Sequence, residues 1–109
     1  MTPAMAEAYV AQCPRARDIL ADTLQAIDNG DAAAARDAMN EAEEGSHPRG
    51  ASYTGLMLLI RRAAAAQGMR SLAADAGQRV KVYRAGLAQR RGSRAAVRRW
   101  AEGRLPNSR

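Results

Sequence analysis

A chain of 109 residues with 26 Ala, no Phe and only 15 Leu, Ile and Val together holds fewer large apolar side chains than the fifth or so usual for a globular domain. Its length makes one domain, too small for an enzyme with separate substrate and cofactor lobes. Few β-branched and aromatic residues against abundant Ala, Leu, Arg and Gln exclude a β-rich fold and predict an all-α one, packed closely through small side chains.

Net charge is +6, and its distribution matters more than its total. Residues 1–50 hold four Arg against nine Asp and Glu, a balance of −5; residues 51–78 hold three Arg against Asp75, +2; residues 79–109 hold ten basic residues against Glu102, +9. A basic end of this kind points to a polyanion, most often nucleic acid. The lone Cys13 makes no internal disulfide and suits a reducing compartment. The N-terminal stretch lacks a basic region followed by a long apolar run, and the longest large-apolar stretch, Leu56 to Ile60, is far too short to span a bilayer. The expected placement is cytoplasmic, without membrane contact.

The elements follow in order. Residues 3–13 form a short first helix, with Pro3 tolerated in its first turn and Pro14 ending it. From Arg15 to Asp28, Ala16, Ile19, Leu20, Leu24 and Ile27 recur at three- and four-residue spacing and share one face. Asn29 and Gly30 supply a left-handed stop, and Asp31 caps a third helix running to about Glu44 with Ala35, Met39 and Ala42 inward. This is an acidic helical hairpin. Residues 45–50, GSHPRG, read as the clearest loop. Ser52 or Thr54 caps a helix from Tyr53 to Gln67 whose stripe of Leu56, Leu59, Ile60 and Ala63, widened by Met57 and Leu58, makes it the most buried element; Gly68 ends it.

The next segment admits two readings. In one, residues 69–91 are a single helix with Met69, Leu72, Ala76, Val80, Tyr83 and Leu87 as a coiled-coil-like seam. In the other, Gly77 breaks the segment into two short helices. Ser93 then caps a last helix over 94–103. The expected architecture is a single domain of about five helices: the acidic hairpin over 3–44, a loop over 45–52, a basic helical part over 53–103 and a polar tail over 104–109.

Within residues 59–103, Leu72-Ala73 and Ala76-Gly77 stand as the scaffold-helix pair and the turn do in helix-turn-helix DNA-binding domains of the phage-repressor type, which the segment resembles. That resemblance implies that Gln78, Arg79, Lys81 and Arg84 fall on or near a recognition helix entering the major groove. Contact with DNA does not require the break. On one continuous helix, Arg70, Lys81, Arg84 and Arg91 group in a sector about 80° wide, beside the small residues Ala74, Gly77 and Ala88, which let the backbone approach phosphates. Arg90, Arg91, Arg94, Arg98 and Arg99 extend the surface round a Gly92-Ser93 bend, where the amides of the last helix are open to a phosphate. Tyr83 and Trp100 sit at apolar-face spacing and read as core anchors.

No catalytic constellation is found. His47 stands alone in the loop, Cys13 has no second thiol or helical His near it, and Gly86 and Gly92 are not followed by the Lys-Ser/Thr of a phosphate loop. The expectation is a non-enzymatic, cofactor-free and metal-free regulator that contacts the backbone of duplex DNA through Arg70, Arg79, Lys81, Arg84, Arg90, Arg91, Arg94, Arg98 and Arg99. Its acidic hairpin is left for dimerisation or a protein contact. The rival is a helical protein-interaction module, an adaptor or inhibitor that captures a regulator or enzyme.

Overall fold

The computed structural model describes the backbone of residues 1–44 and 48–104, and the side chains of 1–44, 48–89 and 98. Its described residues form helices α1 (Pro3–Ala11), α2 (Pro14–Asp28), α3 (Ala32–Asn40), α4 (Ala51–Ala66) and α5 (Arg70–Arg104), with a 3₁₀ turn, Glu41–Glu43, after α3. The fold is all-α, as composition requires.

Local chemistry sets most boundaries. Thr2 Oγ1 accepts from the Met5 amide at 3.2 Å, and Pro3 occupies the first turn of α1, where its missing N–H is not needed. Pro14 likewise opens α2. Gly30 takes the turn between α2 and α3 at φ +68°, and Asp31 Oδ1 then caps α3 by accepting from the Ala34 amide at 3.0 Å. The third helix is shorter than its spacing predicts, because its last turn tightens to 3₁₀ geometry at Glu41. Helix α4 starts two residues earlier than expected, directly after Gly50, so neither Ser52 nor Thr54 is its cap; the Ser52 hydroxyl instead donates to the Tyr9 carbonyl at 3.3 Å.

Helix α4 is the centre of the packing, in contact with α1, α2 and α5. Ile19, Ile27, Met39, Leu56, Met57, Ile60 and Leu72 are fully buried, and Ala6, Ala16, Ala35, Ala42, Ala64 and Ala76 fill the spaces between them. Small residues here bring backbones together. At Gly55 a Cβ would stand 3.0 Å from the Ala6 carbonyl oxygen and 3.1 Å from its Cα, so α1 and α4 meet where no side chain fits.

Of the two readings of residues 69–91 the single helix is the one observed, and the bend expected at Gly92-Ser93 is absent. Helix α5 passes through Gly77 and through Gly92-Ser93 without a break, so Ser93 is no cap and no helix N-terminus presents amides there. A glycine inside a helix costs about 1 kcal/mol relative to Ala. At Gly77 that cost is offset by packing on both sides, from buried Leu72 and Ala76 before it and from Val80 and Tyr83, which lie on the core, after it. Continuity makes α5 long. Its 35 residues span about 52 Å at 1.5 Å each, which accounts for a molecule measuring 65 × 27 × 26 Å. Past Tyr83 no described side chain of α5 is fully buried, and the helix leaves the bundle as an arm.

Candidate nucleic-acid interface

Because α5 crosses the bundle as one rod, its charged residues divide between two sides. One side faces α3 and the 3₁₀ turn. There Arg79 Nε donates to Asp75 Oδ1 at 2.8 Å, Nη1 to Glu43 Oε2 at 2.9 Å and Nη2 to Asn40 Oδ1 at 2.9 Å. All three guanidinium nitrogens are engaged. Arg36 adds a second cation to Asp75, Nε to Oδ2 at 3.1 Å, and its Nη2 donates to Ser71 Oγ at 3.0 Å. Tyr53 Oη donates to the other Glu43 oxygen at 3.0 Å, and its ring lies 4.6 Å from that of Tyr83, whose hydroxyl accepts from the Gly50 amide at 2.6 Å.

The protonation equilibria follow this geometry. The Arg79 hydrogen bond holds the Asp75 carboxyl below its ordinary range against the opposing effect of burial, with the Arg36 bond and both positive charges helping. Burial works against the Arg79 charge, but the bond to Asp75 and the negative charges of Glu43 and Asp75 outweigh it and raise the value. Burial, then the charge and acceptor of Glu43, push the Tyr53 hydroxyl well above the usual tyrosine range. This cluster is a clasp, tying the acidic hairpin to α5.

The other side carries the opposite arrangement. Between α4 and α5 runs an open cleft of about 700 Å³ lined by Arg61, Arg70, Lys81, Gln78 and the small residues Ala73, Ala74 and Gly77. It continues into a smaller one of about 200 Å³ that shares Arg61, Gly77 and Lys81 and adds Arg84 over an apolar floor of Met57, Leu58 and Val80. No carboxylate among the described residues lines either cleft. Among the described residues, no ion pair involves Arg61, Arg70, Lys81 or Arg84. Four cations distributed along these two clefts suit phosphate oxygens, which accept from guanidinium and ammonium groups.

Of the residues that the sequence singles out for nucleic acid, Arg70 and Lys81 line the larger cleft and Lys81 and Arg84 the smaller. Arg79 lines neither: 200° from Lys81 by helical geometry, it is held in the clasp with a side chain only 14% exposed. Arg98 is exposed on the arm, about 21 Å beyond Arg84 along the axis. The side chains of Arg90, Arg91, Arg94 and Arg99 lie outside the described residues, as do that of Trp100 and the loop residue His47. Tyr83 packs on the core, as its spacing predicts.

Arg61 is the cleft residue that sequence reasoning passes over, since it reads there only as the end of an apolar run. A Cβ on Gly77 would lie 3.8 Å from Arg61 Cδ, so this side chain crosses α5 where α5 has none. Among the described residues there is no group of three His, Cys, Asp or Glu placed to hold a metal ion, and no helix long and apolar enough to cross a membrane. The chain matches no family model, no curated protein and no solved structure. What it binds is therefore inferred from its own residues.

Proposed function

We propose that this chain is a small nucleic-acid-binding regulatory protein that grips the DNA backbone through the basic cleft of α4 and α5 and the arginine-bearing arm beyond it. One observation carries this: Arg61 and Lys81 line two adjoining clefts, with Arg70 in the one and Arg84 in the other, and among the described residues no carboxylate lines either, although the chain has eleven acidic residues. Asp75, on α5 itself, faces away into the clasp with Arg36 and Arg79. Phosphate contacts of this kind position a strand and do not select its sequence. The continuous α5 provides no separate recognition helix after Gly77, so the proposal is of backbone binding. The acidic hairpin has a role within the same chain, holding α5 through Glu43.

The test is fluorescence anisotropy with labelled duplex and single-stranded DNA across a salt series. The expected result is binding at about 50 mM salt that weakens with a log–log slope of about −0.9 per phosphate for duplex and −0.7 for single strands. Absence of binding to either form at that salt refutes the proposal.

A second reading has an observation of its own. Met5 and Tyr9, 46% and 36% exposed, stand one turn apart on the outer face of α1, and exposed methionine suits a protein partner. It predicts a stoichiometric complex in a pull-down that is lost in Met5→Ser/Tyr9→Ser and is indifferent to DNA.

A further inference from the structure

Four of the nine arginines of helix α5 recur at a fixed interval. Arg70, Arg84, Arg91 and Arg98 share a seven-residue spacing, and the place between Arg70 and Arg84 is taken by Gly77. Seven residues of α-helix advance about 10.5 Å and return to within about 20° of the starting direction. The interval copies that of the core: Met69, Ala76 and Tyr83, each one residue earlier, pack on the bundle, so the residue following each is held at its border.

The vacancy at Gly77 is filled from the neighbouring helix. The Arg61 side chain crosses the space where residue 77 would project, its Cδ and Nε 3.8 and 3.9 Å from the position of a Cβ there. Arg61, Arg70, Arg84 and Arg98 are all exposed, and Arg91 stands at the intervening register position. We infer that this row is the seat of one phosphate backbone laid lengthwise along α5, with Arg61 supplying the cation that Gly77 omits, and that the strand is single rather than duplex. The inference rests on the nucleic-acid reading above and adds its geometry. A strand of B-DNA turns once in about 34 Å, hence by about 110° between neighbouring cations, while the row turns by about 20°. A duplex laid along α5 meets few of them; a flexible single strand follows them all.

The experiment uses the intact chain with a labelled oligothymidylate long enough to cover the roughly 42 Å from Arg70 to Arg98, and a duplex of equal length. Inserting one Ala after Arg90, in the arm, rotates Arg91 and Arg98 by about 100° and leaves no arginine at either register position; inserting seven residues there rotates them by about 20°. The single insertion is expected to flatten the salt slope by about 0.7 or more, one phosphate contact, while the seven-residue insertion keeps the wild-type slope. Arg61→Ala is expected to lose as much as Arg84→Ala, and Gly77→Arg added to Arg61→Ala to restore it, returning the cation to α5. Equal slopes for the two insertions, failure of that rescue, or tighter binding of the duplex than of the single strand each overturns the inference while leaving nucleic-acid binding in place. If the wild-type chain binds neither form, the functional reading itself falls.

Discussion

Arg79 and Lys81 lie two residues apart on the same helix, and the structure gives them opposite roles. Arg79→Ala removes three hydrogen bonds of 2.8 to 2.9 Å. Bonds to charged groups are worth about 1.5–3 kcal/mol when buried and exposed ion pairs about 0.2–1 kcal/mol. The Asp75 contact, with side chains 14% and 25% exposed, stands toward the upper range, and the Glu43 contact, with Glu43 46% exposed, toward the lower. Asp75 keeps Arg36, and Glu43 keeps Tyr53, which limits the loss. The expected destabilisation is about 2 kcal/mol, or about 10 °C in Tm for a domain of this size. Lys81→Ala breaks no ion pair among the described residues and is expected to leave Tm within about 2 °C, since surface changes stay near ±0.5 kcal/mol. Thermal unfolding followed by circular dichroism measures the first effect, and DNA anisotropy well below both transitions measures the second. Lys81→Ala is expected to weaken binding and Arg79→Ala to preserve it. An Arg79→Ala protein that melts like wild type and loses DNA affinity as Lys81→Ala does refutes the division of the two faces.

Asp75 has a lowered carboxyl value, so its contribution is complete at neutral pH and is lost as pH falls through that value; melting temperature should drop below about pH 4, and less steeply in Asp75→Asn. Tyr53 has a raised value, so its contribution is complete below the ordinary tyrosine value of about 10 and declines as pH rises beyond it; an alkaline melting series should be flatter in Tyr53→Phe. The two helical glycines should respond with opposite signs in urea unfolding. Gly55→Ala drives a Cβ to 3.0 Å from backbone and is expected to cost about 1 kcal/mol net, whereas Gly77→Ala meets only Arg61 at ordinary contact distance and should gain about 0.5–1 kcal/mol.

Much of the fold is legible in local chemistry. The Asp31 cap, the Gly30 turn, the stop at Gly68 and the break between α1 and α2 at Pro14 are each decided within a few residues, where side-chain bonds and allowed φ values act. Gly77 leaves two readings open in the sequence because its penalty is local, while the packing that decides for one helix, from Leu72 and Ala76 to Val80 and Tyr83, is tertiary. The charges divide in the same manner. Helical geometry alone groups Arg70, Lys81 and Arg84, but it has no means of knowing that Glu43, 36 residues from Arg79, meets the opposite side of α5. Arg61 needed the crossing of α4 over α5, although an arginine ladder with a glycine in one rung is a signal present in the sequence.

The central claim is that nucleic acid occupies the face of α5 that carries Arg70, Lys81 and Arg84 together with Arg61 of α4. Backbone amide NMR spectra of the ¹⁵N-labelled chain, titrated with a DNA oligonucleotide at about 50 mM salt, map that face directly. The account predicts saturable shifts centred on Arg61, Arg70, Gly77, Lys81 and Arg84 and continuing along the arm, with the α2–α3 hairpin unmoved. Shifts centred on α1 or on the hairpin, or none at all, would contradict it.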